Sequence, residues 1–310
     1  MSKIYPVGIQ SFEKIREGGY CYIDKTSLIY NLVKSGQYYF LSRPRRFGKS
    51  LEAYFLGKKE LFKGLAMEEL EKDWTTYPVL HLDLNARKYV DASSLNAILN
   101  QHLESWEAIY GDEKKDRAPE ERFAWLIEKA CRTTGRNVVV LVDEYDKPML
   151  QSIGNEELQN EYRNTLKAFY GVLKSCDKYL CFALLTGVTK FSKVSVFSDL
   201  NNLIDLSMDR QFQTLCGMTD KEIHTYFEEP LHQIAENYGI TYDEVCLRLK
   251  ERYDGYRFRQ NGTNLYNPFS LLNTFKYMRL SDYWFETGTP TYLVELLKRT
   301  NYDLYDMANT

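Results

Sequence analysis

The sequence predicts an α/β fold: a parallel sheet with helices on both faces, followed by a smaller, mainly helical domain. Three observations carry that expectation. Short apolar runs alternate with longer helical stripes, each short run ends on a polar residue, and near Asp209 the alternation gives way to helix-start signals. Strand and helix in alternation imply crossover connections, and runs that are apolar at nearly every position suit strands covered on both faces. With 310 residues the chain has room for about two domains. They are placed at 1–209, a core with an N-terminal lead-in segment, and at 210–310.

The expected strands are Tyr38–Ser42, Val79–Asp83, Val138–Asp143 and Tyr179–Thr186. Between them, Leu95, Ile98, Leu99, Leu103, Trp106 and Ile109 recur at helical spacing. Phe123, Leu126, Ile127 and Ala130 form a second stripe, and Leu158, Tyr162, Leu166, Phe169 and Leu173 a third. The charge-dense stretch Gly111–Arg122, with Pro119, reads as a solvated loop. Further on, Thr219-Asp220-Lys221-Glu222 and Thr241-Tyr242-Asp243-Glu244 read as capping boxes that open helices. Pro268 and Pro290 stand near the first turns of two more, and Tyr253-Asp254-Gly255-Tyr256 reads as a turn joining short strands.

Composition narrows the classes. Hydrophobic residues make up 44% and charged residues 27%, which excludes a wholly disordered chain. The longest apolar runs are far too short to cross a bilayer, and no charged-then-apolar leader opens the sequence, so a cytoplasmic protein without membrane contact is expected. Forty basic against forty-three acidic side chains give a net charge of −3, which does not indicate a strongly cationic nucleic-acid binder, although the local basic cluster Arg43, Arg45, Arg46 and Lys49 leaves nucleic-acid phosphates open as an alternative to nucleotide. Six cysteines without a Cys-x-x-Cys pair read as reduced thiols, and four histidines show no zinc-site spacing. The 25 tyrosines announce extensive aromatic packing and name no chemistry.

Chemistry enters after the first strand, at Arg43-Pro44-Arg45-Arg46-Phe47-Gly48-Lys49-Ser50. This is the Gly-x-x-x-x-Gly-Lys-Ser/Thr phosphate loop with Arg43 in place of its first glycine. Backbone N–H groups of Arg45, Arg46, Phe47, Gly48, Lys49 and Ser50 can converge on phosphate oxygens. Lys49 suits the β/γ-phosphates, the Ser50 hydroxyl suits Mg²⁺, and a helix N-terminus adds a favourable dipole. A basic turn capping a helix is the plain alternative for the loop alone. The run Val138–Asp143 then delivers two adjacent carboxylates, Asp143 and Glu144, at a strand end where ligands of open α/β sheets bind. In a P-loop nucleotidase Asp143 holds the magnesium shell through water, and Glu144 orients and deprotonates the attacking water. Thr186, at the end of a further strand, is placed to touch the terminal phosphate or that water, with Thr189 as second choice. An ordinary turn residue stays open as the alternative.

At these residues the sequence resembles the bacterial AAA-ATPase-like family of P-loop proteins. The resemblance runs nearly end to end. It rests on the loop itself, Tyr22-Ile23-Asp24-Lys25-Thr26, Val142-Asp143-Glu144-Tyr145-Asp146-Lys147-Pro148 and Thr186-Gly187-Val188-Thr189-Lys190-Phe191-Ser192. Tyr253-Asp254-Gly255-Tyr256-Arg257-Phe258 and Tyr266-Asn267-Pro268-Phe269-Ser270 extend it. The resemblance implies ATP as ligand, an arginine-rich loop as a family trait, and a P-loop NTPase sheet in the order of the additional-strand, catalytic-glutamate ATPases with a helical domain behind it. It also implies a following nuclease-like domain of the PD-(D/E)XK superfamily. Of that active site only Glu113-Lys114-Lys115 fits one element, within the polar loop. The helix after Ser50 has about seven residues before Gly57, some 10 Å, where the resemblance implies about one and a half turns more. Weaker docking of this helix and a less rigid loop are expected.

The resulting expectation is an ATP-binding, bacterial, cytoplasmic protein with Mg²⁺-dependent hydrolysis that drives a conformational change, acting on an unknown protein partner. Lys49 and Glu144 are the catalytic residues, and Ser50 and Asp143 hold the metal. Two alternatives stay open: a nucleotide-gated interaction module with negligible turnover, and a fragment of a longer ATPase–nuclease protein. Arg210 and Arg257 are candidate arginine fingers that surface pairing explains equally well.

Overall fold

The computed structural model describes residues 4–9, 11–42, 48–188, 202–256 and 263–283. The lead-in carries α1 (Phe12–Glu17) and α2 (Thr26–Ser35), and β1 (Tyr38–Ser42) follows. Then come α3 (Gly48–Phe55), α4 (Ala66–Leu70), β2 (Val79–Asp83), α5 (Ala92–Tyr110), α6 (Pro119–Thr134) and β3 (Val138–Asp143). The core continues through α7 (Lys147–Gln151), α8 (Glu156–Ser175), β4 (Leu180–Gly187) and β5 (Ile204–Asp205). Beyond it lie α9 (Asp220–Tyr238), α10 (Tyr242–Tyr253), β6 (Asp254–Tyr256), β7 (Leu265–Tyr266) and α11 (Pro268–Tyr277).

The sheet runs β2-β3-β4-β1-β5 and every pairing in it is parallel. β4 is thus inserted between the strand that leads into the phosphate-loop motif and the strand that ends in the acidic pair. Ser42 pairs with Gly187 and Asp83 with Asp143, so four strands end along one rim. Alternation along the strands sorts their side chains onto two faces. Tyr38, Phe40, Leu80, Leu82, Val138, Val140, Val142 and Leu185 meet α5, α6 and α8. Tyr39, Leu41, Val139, Leu141, Phe182 and Leu184 meet the lead-in and α3. A third cluster joins Met218, Phe227, Leu231, Leu249 and Phe275 of the last third, and Tyr5, Cys21 and Ile23 of the lead-in pack against it.

Several expectations shift. β4 begins one residue late because Asp177–Tyr179 forms a 3-10 turn, held by the Tyr38 hydroxyl donating to Asp177 at 2.6 Å. The Gly111–Arg122 loop is shorter than expected: Pro119 is the first residue of α6, where its missing N–H costs nothing. Arg122 is buried, its guanidinium bidentate on Glu107 at 2.7 and 2.8 Å. Ile109, by contrast, ends its stripe exposed. Residues 254–256 are themselves a strand, antiparallel to β7, and not the turn. Thr219 caps α9 and Thr241 caps α10 as expected, with Pro230 kinking α9 at Phe227. Pro290 lies outside the described residues.

Helix α3 is firmly docked, against expectation. Leu51, Tyr54 and Phe55 fall at i, i+3 and i+4 and are all buried, so the short helix keeps one complete apolar stripe. Phe55 packs on Phe182 with ring centroids 5.0 Å apart, and its carbonyl accepts from the Tyr77 N–H. Left-handed Gly57 ends the helix. A polar tie reinforces it, with the Tyr54 hydroxyl donating to Glu71 at 2.6 Å and Lys34 of α2 3.1 Å from the same oxygen.

Burial opposes the Glu71 charge, but hydrogen bonds from Tyr54, the Asp73 N–H and Lys34 outweigh it and lower the pKa to about 2. The folded-state value lies below the ordinary 4.5, so this stabilisation is complete above pH 4.5 and is lost as the pH falls towards 2. Urea unfolding at a series of pH values is expected to show Glu71→Gln less stable than wild type at neutral pH and converging with it across that window. A constant difference contradicts the assignment.

Candidate functional site

The rim of the sheet gathers the polar residues. Asp143 follows Val139 and Leu141 at period two, so its side chain stands on the face that α3 covers. One residue on, Glu144 has φ +54, a left-handed conformation rare outside glycine and asparagine. The strain is held by what surrounds it. The Tyr145 N–H donates to the Thr186 carbonyl at 2.9 Å. The Tyr145 ring, fully buried, meets Phe40 edge-on at 5.4 Å. Gly187 makes room for that ring, since a Cβ there would lie 2.4 Å from it. Asp146, 1% exposed, accepts from the Val188 N–H at 3.1 Å. It stands at the N-cap position of α7, but its side chain does not cap that helix and instead staples the turn to the end of β4. Glu144 itself lies 3.6 Å from Lys147, which also donates to Asn85 beyond β2 at 2.8 Å.

A chain of polar contacts crosses the same rim. The Thr186 hydroxyl donates to Asp143 Oδ1 at 2.7 Å. On the other carboxylate oxygen, Oδ2, His81 Nε2 lies at 3.3 Å. The second ring nitrogen of His81, Nδ1, is 3.2 Å from Glu52 Oε2 on α3. Four elements, α3, β2, β3 and β4, are linked through Glu52, His81, Asp143 and Thr186.

Ser50, third residue of α3, stands beside the Tyr22 hydroxyl. Desolvation of that hydroxyl, with Asp24 nearby, pushes the Tyr22 pKa well up, while Ser50 opposes the rise. Both residues line a cavity of about 240 Å³ whose other walls include Pro6, Ile23, Met218 and Phe227. It therefore lies between the lead-in, α3 and the last third of the chain.

Of the expected site residues, Asp143, Glu144 and Thr186 are brought together at adjacent strand ends, and Gly48, Lys49 and Ser50 open α3. Arg43, Arg45, Arg46, Phe47 and Thr189, and the Lys49 side chain, lie outside the described residues, as does Arg257. Arg210 is exposed. Glu113 pairs with Lys129 at 3.0 Å on an exposed loop. His81 and Glu52 escaped the sequence reading. The available signal was a histidine in phase with Val79 and Asp83 on a strand whose opposite face carries Leu80 and Leu82.

Among the described residues no group of three or more His, Cys, Asp or Glu could hold a metal ion by itself. The oxygen donors present, the Asp143 carboxylate and the Ser50 and Thr186 hydroxyls, suit a hard cation that takes its remaining ligands from phosphate and water, as Mg²⁺ does.

The sheet order and its rim define an α/β protein of the P-loop NTPase-like class. The chain belongs to the predicted AAA-ATPase family, AAA-ATPase-like, whose model matches residues 6–197. It is 42% identical over 302 residues to a protein of Azotobacter chroococcum mcd 1 described as "Uncharacterized protein in vnfD 5'region". The match covers 95% of this chain and 56% of that protein, so the chain spans little more than half the length of its relative. No solved structure matches significantly. No described helix is long and apolar enough to cross a membrane.

Within this rim, left-handed Glu144 has a backbone that works against its side chain. Glu144→Gly is expected to raise stability in urea by about 0.5–1 kcal/mol, since relief of the strain outweighs glycine's entropy cost. A loss of stability would show that the Lys147 contact, and not the turn, dominates at this position.

Proposed function

We propose that this protein binds ATP with Mg²⁺ at the strand-end rim and hydrolyses it, and that hydrolysis changes the pose of the last third of the chain against the core. The observation that carries the reading is the convergence of Asp143, Glu144 and Thr186 at ends of adjacent parallel strands, one strand away from β1 and its phosphate-loop motif. Backbone N–H groups of residues 45–50 cradle the phosphates, and Lys49 offsets charge on the transferred phosphoryl group. Mg²⁺, when bound, would neutralise charge on the phosphates. Ser50 and Asp143 would hold it, Asp143 through water. Glu144 orients the attacking water and takes its proton. Strain at Glu144 supports this role, because such conformations persist where a side chain must be aimed. The apolar cavity beside Ser50 suits the base of the nucleotide.

The conformational step has a physical route. If the Ser50 hydroxyl held the metal, it would turn away from the Tyr22 hydroxyl beside it. Three residues later Lys25 pairs with Glu222 at 2.5 Å, and the Asp24 N–H lies 3.4 Å from the Tyr226 hydroxyl. Tyr5 meets the Phe227 and Phe275 rings at 5.7 and 6.2 Å. The lead-in thus touches both the phosphate-loop helix and α9. A core to residue 209 with a helical unit from 210 is part of this reading, as are a bacterial cytoplasmic setting and a protein partner. Nucleic acid has no support among the described residues.

A second reading, a nucleotide-gated module with negligible turnover, is favoured by the Lys147 ammonium 3.6 Å from Glu144, since a base paired with a cation is a weaker base. Fluorescent-ATP binding and phosphate release on wild type, Lys49→Ala and Glu144→Gln separate the two. Hydrolysis predicts that Glu144→Gln binds ATP yet loses about 10²–10⁴-fold in kcat, while Lys49→Ala also binds weakly. Binding without release in wild type selects the gated module, and equal release from all three sinks the enzyme.

A further inference from the structure

We propose that His81 is a positioning residue for Asp143, tying the metal-holding carboxylate to the helix that carries Lys49 and Ser50. The inference rests on the reading above and extends it to a residue that touches neither nucleotide nor metal.

The argument begins with the strand. β2 alternates its side chains between two faces, and Leu80 and Leu82 fill one of them completely. On the other face, where Val79 packs with α3 and its neighbours, an apolar side chain at position 81 would complete the pattern at no desolvation cost. An imidazole stands there instead, only 13% of its side chain exposed, with a carboxylate at each nitrogen. Its Nε2 lies 3.3 Å from Asp143 Oδ2, and its Nδ1 lies 3.2 Å from Glu52 Oε2. Because the Thr186 hydroxyl occupies Oδ1 at 2.7 Å, both Asp143 oxygens are held, from β2 on one side and β4 on the other. A carboxylate held at both oxygens cannot rotate freely about its side-chain bonds, so its remaining lone pairs keep one direction. Partners of this kind orient a ligand and set its affinity without touching the metal.

Glu52 gives the tether its second end. It follows Ser50 by two residues on α3. The imidazole therefore spans from the helix that presents the metal's hydroxyl ligand to the strand that presents its carboxylate. Docking of Leu51 and Phe55 fixes where α3 lies on the sheet, whereas the Glu52–His81–Asp143 chain relates its first turn to the acid.

The test reads metal dependence of binding, not turnover. Binding of a fluorescent ATP analogue to the full chain is titrated with Mg²⁺ in wild type, His81→Asn, His81→Gln and Asp143→Asn. Asparagine keeps a nitrogen on the Glu52 side and loses the reach to Asp143, and glutamine restores a nitrogen near the Nε2 position. His81→Asn is expected to raise the Mg²⁺ concentration at half-maximal binding about 10–100-fold, with Mg²⁺-free binding unchanged, and His81→Gln to recover most of that loss. His81→Leu, which fills the space without the hydrogen bond, replaces the asparagine variant if the latter does not fold, and the same shift is expected. If Asp143→Asn moves the Mg²⁺ dependence and the His81 variants do not, the positioning role is overturned while the metal reading stands. If Asp143→Asn moves nothing, the metal reading itself fails. Equal losses in the asparagine and glutamine variants, with and without Mg²⁺, assign His81 to packing alone and also overturn the proposal.

Discussion

A strand buried on both faces can carry charge only where it ends. That constraint organises this molecule. β3 is apolar from Val138 to Val142 and closed in by helices on each side, so Asp143 is the first position at which a carboxylate can approach solvent. Even there it is three-quarters shielded, and an ion so placed needs hydrogen bonds at both oxygens. Thr186 and His81 supply them from the two flanking strands. Aligned strand ends are a consequence of the parallel register, and they are why partners from β2, β3 and β4 meet.

The turn after β3 shows the opposing side of the same economy. Glu144 takes a backbone conformation that costs about 1–2 kcal/mol, and its neighbours supply the compensation. Tyr145 fills a pocket that Gly187 leaves open, and Asp146 is spent on the Val188 N–H in place of a helix cap. Helix α3 tells a related story about length. Eight residues hold a single apolar stripe, and because that stripe is intact the helix is docked on the sheet, with Tyr54 and Glu71 adding a polar tie.

Much of this was legible beforehand, and unevenly. Three of the strands follow from their apolar runs to the residue, and the stripes of α5, α6 and α8 appear in the core apart from Ile109. Local signals served well where the physics is local: Thr219 and Thr241 each cap a helix through their own side chains, and Pro268 opens another. They failed where a distant partner decides. Arg122 reads as a solvated charge until Glu107, on the preceding helix, is seen to bury it. Residues 254–256 read as a turn because Leu265–Tyr266, their pairing strand, lies across a gap in sequence. β5 has two residues and no pattern to announce it.

The sequence by itself determined the class of fold, the acidic pair at a strand end, and the phosphate-loop motif ahead of a helix. Those are periodicities and spacings within short segments. Only the tertiary structure decided that Thr186 is the partner of Asp143, and that a histidine without any metal-site spacing joins Asp143 to Glu52. The reason is physical. Periodicity states which face a side chain takes, but strand order and register decide which other side chain shares that face, and both are settled by long-range packing that no short window of sequence contains.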